Sequence, residues 1–204
     1  MTGEAIVTAC KVLRAGGVVA FPTETYYGLA VDPFNPAALS RLFTLKGRAA
    51  DKPVLLIVEN PSQLSTLVAE IPRSFVLLME RFWPGPLTLV FPGAPSLSGM
   101  LTGGRDTIGV RVSSHPVARQ LVRAFGGPIT ATSANFSGRP AAVGARGVLE
   151  QLGPGLDAVI DGGETPGGQG STIVGYQEGK VCLLRAGVIP FAEIEKRLKE
   201  QGAR

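Results

Sequence analysis

Histidine and cysteine are nearly absent from these 204 residues: there is one His, His115, and two Cys, Cys10 and Cys182. The cysteines stand alone and far apart, with no metal-ligand spacing around either, which excludes a paired-cysteine zinc module. With a single histidine besides, no nucleophile–base pair for covalent catalysis is evident. No apolar run approaches the ~20 residues that span a bilayer, and no basic stretch followed by an apolar core opens the sequence. We therefore expect no membrane association and a reduced, cytoplasmic setting. A Lys/Arg-rich tail is missing too, and the Gly-rich stretch from Gly93 to Gly104 lacks the Gly-x-x-x-x-Gly-Lys-Ser/Thr spacing of a phosphate loop.

What is present is an ordinary globular composition. Hydrophobic residues make up 45% and charged residues 18%, which favours a packed core over disorder. The formal charge of +4 permits anionic ligands without choosing between nucleotides and RNA.

The spacing Ile6, Val7, Cys10, Leu13 predicts a first helix, stopped by Gly16-Gly17. Val18 to Phe21 reads as a strand cut off by Pro22. Asn35-Pro36 caps a second helix with Leu39, Leu42 and Phe43 on one face. Val54 to Val58 reads as a strand buried on both faces, and Asn60-Pro61 and Pro72 each open a further helix. Leu87 to Phe91, Thr107 to Val112 and Pro128 to Thr132 are strand-like. The stripe Val117, Ala118, Leu121, Val122, Phe125 forms a helix between the last two. Ser171 to Val174 and Val181 to Leu184 follow as strands, and a last helix from about Pro190 turns Phe191, Ile194 and Leu198 inward. Strands alternating with helices imply an α/β fold with a mixed sheet. No repeat or linker divides the chain, which reads as one domain. The second Gly-rich stretch, Asp161 to Gly170, reads as a surface loop, either beside a binding site or without function.

Three clusters carry chemistry. In Lys46-Gly47-Arg48-Ala49-Ala50-Asp51-Lys52-Pro53, three cations fall in seven residues at a helix end. They form either a solvated turn complementing the helix C-terminus or a phosphate clamp on a surface-facing turn, with Gly47 letting the backbone approach a ligand. Phe21 to Leu29 crowds hydroxyls, a carboxylate and aromatics after a strand, where α/β folds hold ligands; its Thr hydroxyls could equally satisfy local backbone. Thr130 to Gly138 offers Ser133 and Asn135 either to phosphate or ribose or to capping of the next turn. His115, before Pro116 at a helix start, reads as structural, and Trp83 as a packed turn anchor.

Taken in order, Pro22-Thr23-Glu24-Thr25-Tyr26-Tyr27-Gly28-Leu29, Lys46-Gly47-Arg48 with Asp51-Lys52-Pro53, and Ser133-Ala134-Asn135-Phe136-Ser137-Gly138 closely resemble the YrdC/Sua5 family. Val110-Arg111-Val112 before His115-Pro116, Ser171-Thr172-Ile173-Val174 and Leu184-Arg185-Ala186-Gly187 match in register. The resemblance runs from about Ala5 to Ile189 and departs at Tyr26, Gly170, Gly175 and Ala186. It implies a YrdC-like fold, a twisted mixed parallel/antiparallel sheet with flanking helices and a concave site. Residues 1–204 would form one such domain, without the C-terminal domain of longer Sua5-type members.

The implied activity is that of a nucleotidyltransferase. It joins L-threonine, bicarbonate and ATP into threonylcarbamoyl-AMP and pyrophosphate, for the N6-threonylcarbamoyladenosine modification of tRNA position 37. Such a transfer rests on positioning and charge stabilisation, in keeping with the missing nucleophile. By the same resemblance Lys46 and Arg48 are the catalytic cations, and together with Lys52, Thr107, Ser133, Asn135 and Arg185 they bind ATP. Thr25, Arg111 and Ser171 bind threonine, the Arg111 fork suiting its carboxylate. Magnesium would enter on the ATP phosphates, since no cluster reads as a protein metal site. Further partners implied are tRNA or double-stranded RNA and the proteins that transfer the threonylcarbamoyl group onward. Two other readings stand beside this one: an RNA-binding module of the same fold without synthase activity, and a carbamoyl-transfer domain of the hydrogenase-maturation type.

Overall fold

The computed structural model describes residues 2–49 and 51–202; Ala50 of the basic segment lies outside the described residues. In chain order the elements are α1 (Thr2–Arg14), β1 (Val19–Pro22), β2 (Tyr27–Ala30), α2 (Pro36–Lys46), β3 (Leu56–Ile57), a 3-10 helix (Pro61–Thr66), α3 (Arg73–Phe82), β4 (Leu87–Pro92), α4 (Gly99–Thr102), β5 (Thr107–Arg111), α5 (Pro116–Phe125), β6 (Ile129–Thr130), β7 (Thr132–Ser133), α6 (Ala145–Leu152), a 3-10 turn (Gly153–Gly155), β8 (Ala158–Val159), β9 (Thr172–Gln177), β10 (Lys180–Arg185) and α7 (Phe191–Gly202). Among the described residues no helix is long and apolar enough to cross a membrane.

The expected α/β architecture with mixed pairing is present, divided between two sheets. One runs β7-β2-β1-β8 and the other β10-β9-β4-β5-β3-β6. Each contains both parallel and antiparallel pairs, β1 with β8 and β3 with β5 being parallel. β1 and Val18 just before it are buried on both faces: Val18 and Ala20 enter the larger core with α2, while Val19 and Phe21 enter a smaller core with α1 and α5. This is why its sequence is continuously apolar and not alternating. Within α1, Ile6, Ala9, Cys10 and Leu13 fill the smaller core. Val7, read as part of that stripe, is 55% exposed, because it lies a helical step of about 100° away from Ile6.

The caps follow the local chemistry. Asn35 Oδ1 accepts from the Ala38 amide at 3.1 Å, and Pro36 occupies the first helical turn. His115 is indeed a cap, its Nδ1 accepting from the Val117 amide at 3.2 Å. Trp83 anchors a turn through Nε1, which donates to Leu87 O at 2.7 Å. In α7 Ile194 is fully buried, with Phe191 and Leu198 packed partly buried against the larger core.

Two strands depart from expectation. Of Val54 to Val58 only Leu56–Ile57 is paired, held between β5 and β6, and Leu55 is turned out of the core. Pro128 to Thr132 is broken at Ala131, where the chain leaves one sheet for the other. β6 pairs with β3, β7 pairs with β2, and the Ala131 amide donates to Leu55 O at 2.7 Å. The buried Thr130 hydroxyl stitches the crossing: it accepts from the Val31 amide at 2.9 Å and donates to Leu29 O at 3.2 Å. Helix α6 escaped the sequence reading because only Val148 and Leu152 are buried along it, too short a stripe to register as periodic.

Thr130→Val preserves the shape and leaves the Val31 amide and Leu29 carbonyl without their partner. It should cost about 1–3 kcal/mol of stability with the fold retained, as read by urea unfolding and circular dichroism. A variant as stable as wild type would show that the crossing does not depend on this hydroxyl.

Candidate active site

A cleft of about 600 Å³ opens where the two sheets meet. Its walls come from the turn between β1 and β2, the segment from α2 to β3, the end of β5, the crossing at Ala131 to Ser133, and the chain from Gln169 through β9 to β10. Of the residues singled out from the sequence, Thr25, Arg48, Lys52, Arg111, Ser133, Ser171 and Arg185 line it. Lys46, Asn135 and Thr107 do not.

Lys46 departs furthest from expectation. It is 2% exposed, and its Nζ turns inward to donate to the carbonyl oxygens of Ser133 and Asn135, the latter at 2.8 Å, and to Asn135 Oδ1 at 3.5 Å. Asn135 Nδ2 in turn donates to Phe136 O at 3.0 Å and Arg139 O at 2.6 Å. Lys46 and Asn135 therefore fix the loop that carries Ser133, and neither meets the cleft. The reason is local: α2 ends at Gly47 in the left-handed conformation, φ 56°. The Phe136 ring fills the space a Cβ would take there, at 2.6 Å. Gly47 thus serves helix termination and packing, not the close approach of a ligand. Thr107 stands at the other end of β5 from Arg111, about 13 Å along the strand, opposite Pro92.

Arg48 is not free on a surface turn. One of its terminal nitrogens donates to Pro53 O at 2.8 Å, its Nε is buried without a partner among the described residues, and desolvation holds its pKa below the ordinary arginine value. Lys52 beside it is exposed.

At the other end of the cleft Arg111 follows Val110 on β5. Val110 and Val112 enter the larger core, so strand alternation turns Arg111 to the opposite face. There it forms an ion pair with Glu24, Nη1 to Oε1 at 3.1 Å, with both side chains about a tenth exposed (9% and 12%). Burial lowers the Arg111 pKa and Glu24 opposes that. Glu24 had no role in the sequence reading; it is the carboxylate noted in the segment after β1. Arg185 donates to Ser171 O at 2.7 Å and to Ser171 Oγ at 3.1 Å. Although the residue as a whole is exposed, its head group is sheltered in the cleft: desolvation, and then the nearby Arg111 charge, lower its pKa. Ser171 Oγ also shares a hydrogen bond with Thr88 Oγ1 at 2.9 Å, a partner without a motif to announce it. Thr25 is set by Thr23, whose Oγ1 lies 3.1 Å from Thr25 Oγ1, accepts from the Thr25 amide and donates to Tyr26 O at 2.7 Å. Behind them the buried Tyr27 hydroxyl donates to Gly163 O at 2.8 Å and accepts from the Gly162 amide at 3.2 Å. It moors the Gly-rich segment that returns to the cleft at Gln169 and Gly170. The cleft is thus cationic, walled by hydroxyls, and suited to holding an anionic ligand by charge and direction.

Comparison with known proteins places the chain in a family. The family model Sua5_yciO_yrdC, described as "Telomere recombination", matches residues 11–187. The chain is 43% identical over 192 residues to the threonylcarbamoyl-AMP synthase of Pyrococcus abyssi, covering 94% of this chain and 56% of that protein. It is 40% identical over 191 residues to the threonylcarbamoyl-AMP synthase of Bacillus subtilis, covering 93% of this chain and 55% of that protein. Among solved structures, P. abyssi Sua5 in complex with L-threonine matches with a TM-score of 0.92 at 41% identity, over 97% of this chain and 58% of that one. The chain spans little more than half the length of these relatives.

The inward position of Lys46 has a measurable consequence. Burial, and then the Arg48 charge, lower its pKa from 10.5 to about 8. Between those values the folded chain has released a proton that the unfolded chain still holds. The unfolded state binds more protons there, so stability relative to Lys46→Met should rise with pH across that window. Urea unfolding of both proteins at about pH 7.5 and about pH 10 reads this. A difference that is flat, or falls with pH, would contradict the buried position.

Proposed function

This chain belongs to the Sua5/YciO/YrdC family, and on that premise we propose that it is a threonylcarbamoyl-AMP synthase. It works in the cytoplasm as a nucleotidyltransferase on L-threonine, bicarbonate and ATP. The observation that carries the reading is the pairing, in one cleft, of a carboxylate-sized cationic end (Arg111 with Ser171 and Thr25) and a second cationic wall (Arg48, Lys52, Ser133).

The reaction needs two bonds made and little covalent help from protein. The threonine amine and bicarbonate give an N-carboxylate with loss of water. An oxygen of that carbamate attacks the α-phosphorus of ATP, the new C–O–P link forms, and the bond to the bridging oxygen breaks as pyrophosphate leaves. What the protein supplies is alignment and compensation of charge on the phosphates. Arg48 and Lys52 face the polyphosphate, and Ser133 and Arg185 the nucleotide. Lys46 and Asn135 act on the same half by holding the Ser133 loop. Thr25, Arg111 and Ser171 take threonine, the Arg111 fork meeting its carboxylate in two parallel hydrogen bonds. Magnesium would travel on the ATP phosphates: among the described residues no three His, Cys, Asp or Glu stand together, and a magnesium ion commonly keeps its waters and the substrate's phosphate oxygens.

The product, a mixed anhydride, calls for a transferase that passes the threonylcarbamoyl group to adenosine 37 of tRNA. An RNA-binding module without synthase activity fits less well. A buried Arg held in an ion pair deep in a cleft suits a small carboxylate, whereas RNA backbone is met by exposed cations.

Two outcomes test the reading. Pyrophosphate release from ATP should require threonine and bicarbonate together, with threonylcarbamoyl-AMP found by mass spectrometry; equal release with either omitted marks a plain ATPase. Arg111→Lys keeps the charge and loses the fork, so the threonine requirement should rise about tenfold or more with ATP binding little changed. Calorimetric titration with each ligand decides this, and equal losses for both would take Arg111 out of the threonine end.

A further inference from the structure

Glu24 lies between Thr23 and Thr25, both of which line the cleft, yet it does not line the cleft itself. Its carboxylate is held at two points, at the last residue of β5 and just beyond it. Oε2 accepts from the Ser113 hydroxyl, and the same Ser113 oxygen accepts from the His115 amide at 3.2 Å. Ser113 is two residues beyond Arg111, just past the end of β5, and both side chains meet the Glu24 carboxylate. With one oxygen tethered by Ser113, the other is aimed at Arg111.

The contact between Glu24 and Arg111 is a pairing of charges and not a directional bond. Oε1 stands 3.1 Å from Nη1 without hydrogen-bond alignment, and it has no other donor among the described residues. Arg111 likewise donates no side-chain hydrogen bond to any described residue, so its fork keeps its N–H groups for the cleft. The Arg185 charge, anchored on Ser171, lies close enough to Arg111 to oppose it, and the Glu24 carboxylate offsets that repulsion.

We propose that Glu24 is a positioning residue: tethered by Ser113, it holds the Arg111 guanidinium in the one orientation in which its free N–H groups meet the threonine carboxylate. The proposal rests on the assignment of Arg111 to threonine made above. It assigns Glu24 no proton transfer and no contact with substrate.

Calorimetric titration of the full chain with L-threonine and, separately, with ATP tests it. Glu24→Gln keeps the shape and an oxygen for Ser113 but removes the charge. Loss of a negative charge beside Arg111 would by itself favour an anionic ligand, so positioning and simple charge balance predict opposite signs. Positioning predicts a threonine dissociation constant raised about tenfold, with that for ATP within about twofold of wild type. Ser113→Ala, which cuts the tether and leaves both charges, should weaken threonine binding in the same direction by about threefold. It carries the test if Glu24→Gln does not fold. In an Arg111→Lys background Glu24→Gln should add no further loss, because the two act through one contact. Threonine binding that is unchanged or tighter in Glu24→Gln, equal losses for both ligands, or additive losses with Arg111→Lys would overturn the proposal alone. A wild-type chain that takes up no threonine would remove the synthase reading, and this inference with it.

Discussion

Two sheets in one chain leave a cleft only if something holds them edge to edge without letting them merge, and here that is the crossing at Thr130 and Ala131. Leaving one sheet for the other in the space of a residue strands backbone groups that a ladder would otherwise pair, and buried unpaired groups are costly. The Thr130 hydroxyl supplies both a donor and an acceptor to the β2 side, while the Ala131 amide is taken by Leu55 O. With those satisfied, β7 begins at Thr132, and Ser133 is delivered to the cleft wall. Leu55 and Arg111 face the same space because β3 and β5 are locked in register at Leu56 with Val110.

The cleft's electrostatics follow from that seam. Arg48, Arg111 and Arg185 are drawn toward one cavity, and desolvation lowers the pKa of each. Concentrating cations in a partly dry space is unfavourable until an anion arrives, and that cost strengthens the attraction to one. The compensation built into the protein is sparing: the Glu24 carboxylate on Arg111, the Asp51 charge near Arg48, and carbonyl oxygens on Arg48 and Arg185. Carbonyl dipoles orient a cation without cancelling its charge. They leave the site rigid and still positive.

The same economy explains the absence of reactive side chains. His115 is committed to capping α5, with burial lowering its pKa, and Cys10 lies in the smaller core with its thiol pKa raised by burial. Neither is available as a nucleophile. The polar side chains lining the cleft are mostly those of Thr, Ser, Arg and Lys, with Tyr26, Tyr27 and Gln169, and they direct and neutralise.

By itself the sequence determined those features that rest on local chemistry. Apolar periodicity marked α1, α2 and α5; Asn35-Pro36 and His115-Pro116 marked where two helices start; and the ordered motifs marked the family. Through the resemblance it also brought Thr25, Lys46, Arg48, Lys52, Thr107, Arg111, Ser133, Asn135, Ser171 and Arg185 forward as a group, of which Lys46, Thr107 and Asn135 do not line the cleft. Only the tertiary structure decided which of the marked cations face the cleft. Lys46 and Arg48 are two residues apart and look alike in sequence, but the left-handed turn at Gly47 sends one to the Ser133 and Asn135 carbonyls and the other to the cleft wall. Nor could spacing pair Glu24 with Arg111 and Ser113, which are 87 and 89 positions away in the chain. Such contacts depend on which strands become neighbours, and that is settled by long-range burial and by the crossing at Ala131, neither of which leaves a local periodic trace in the sequence.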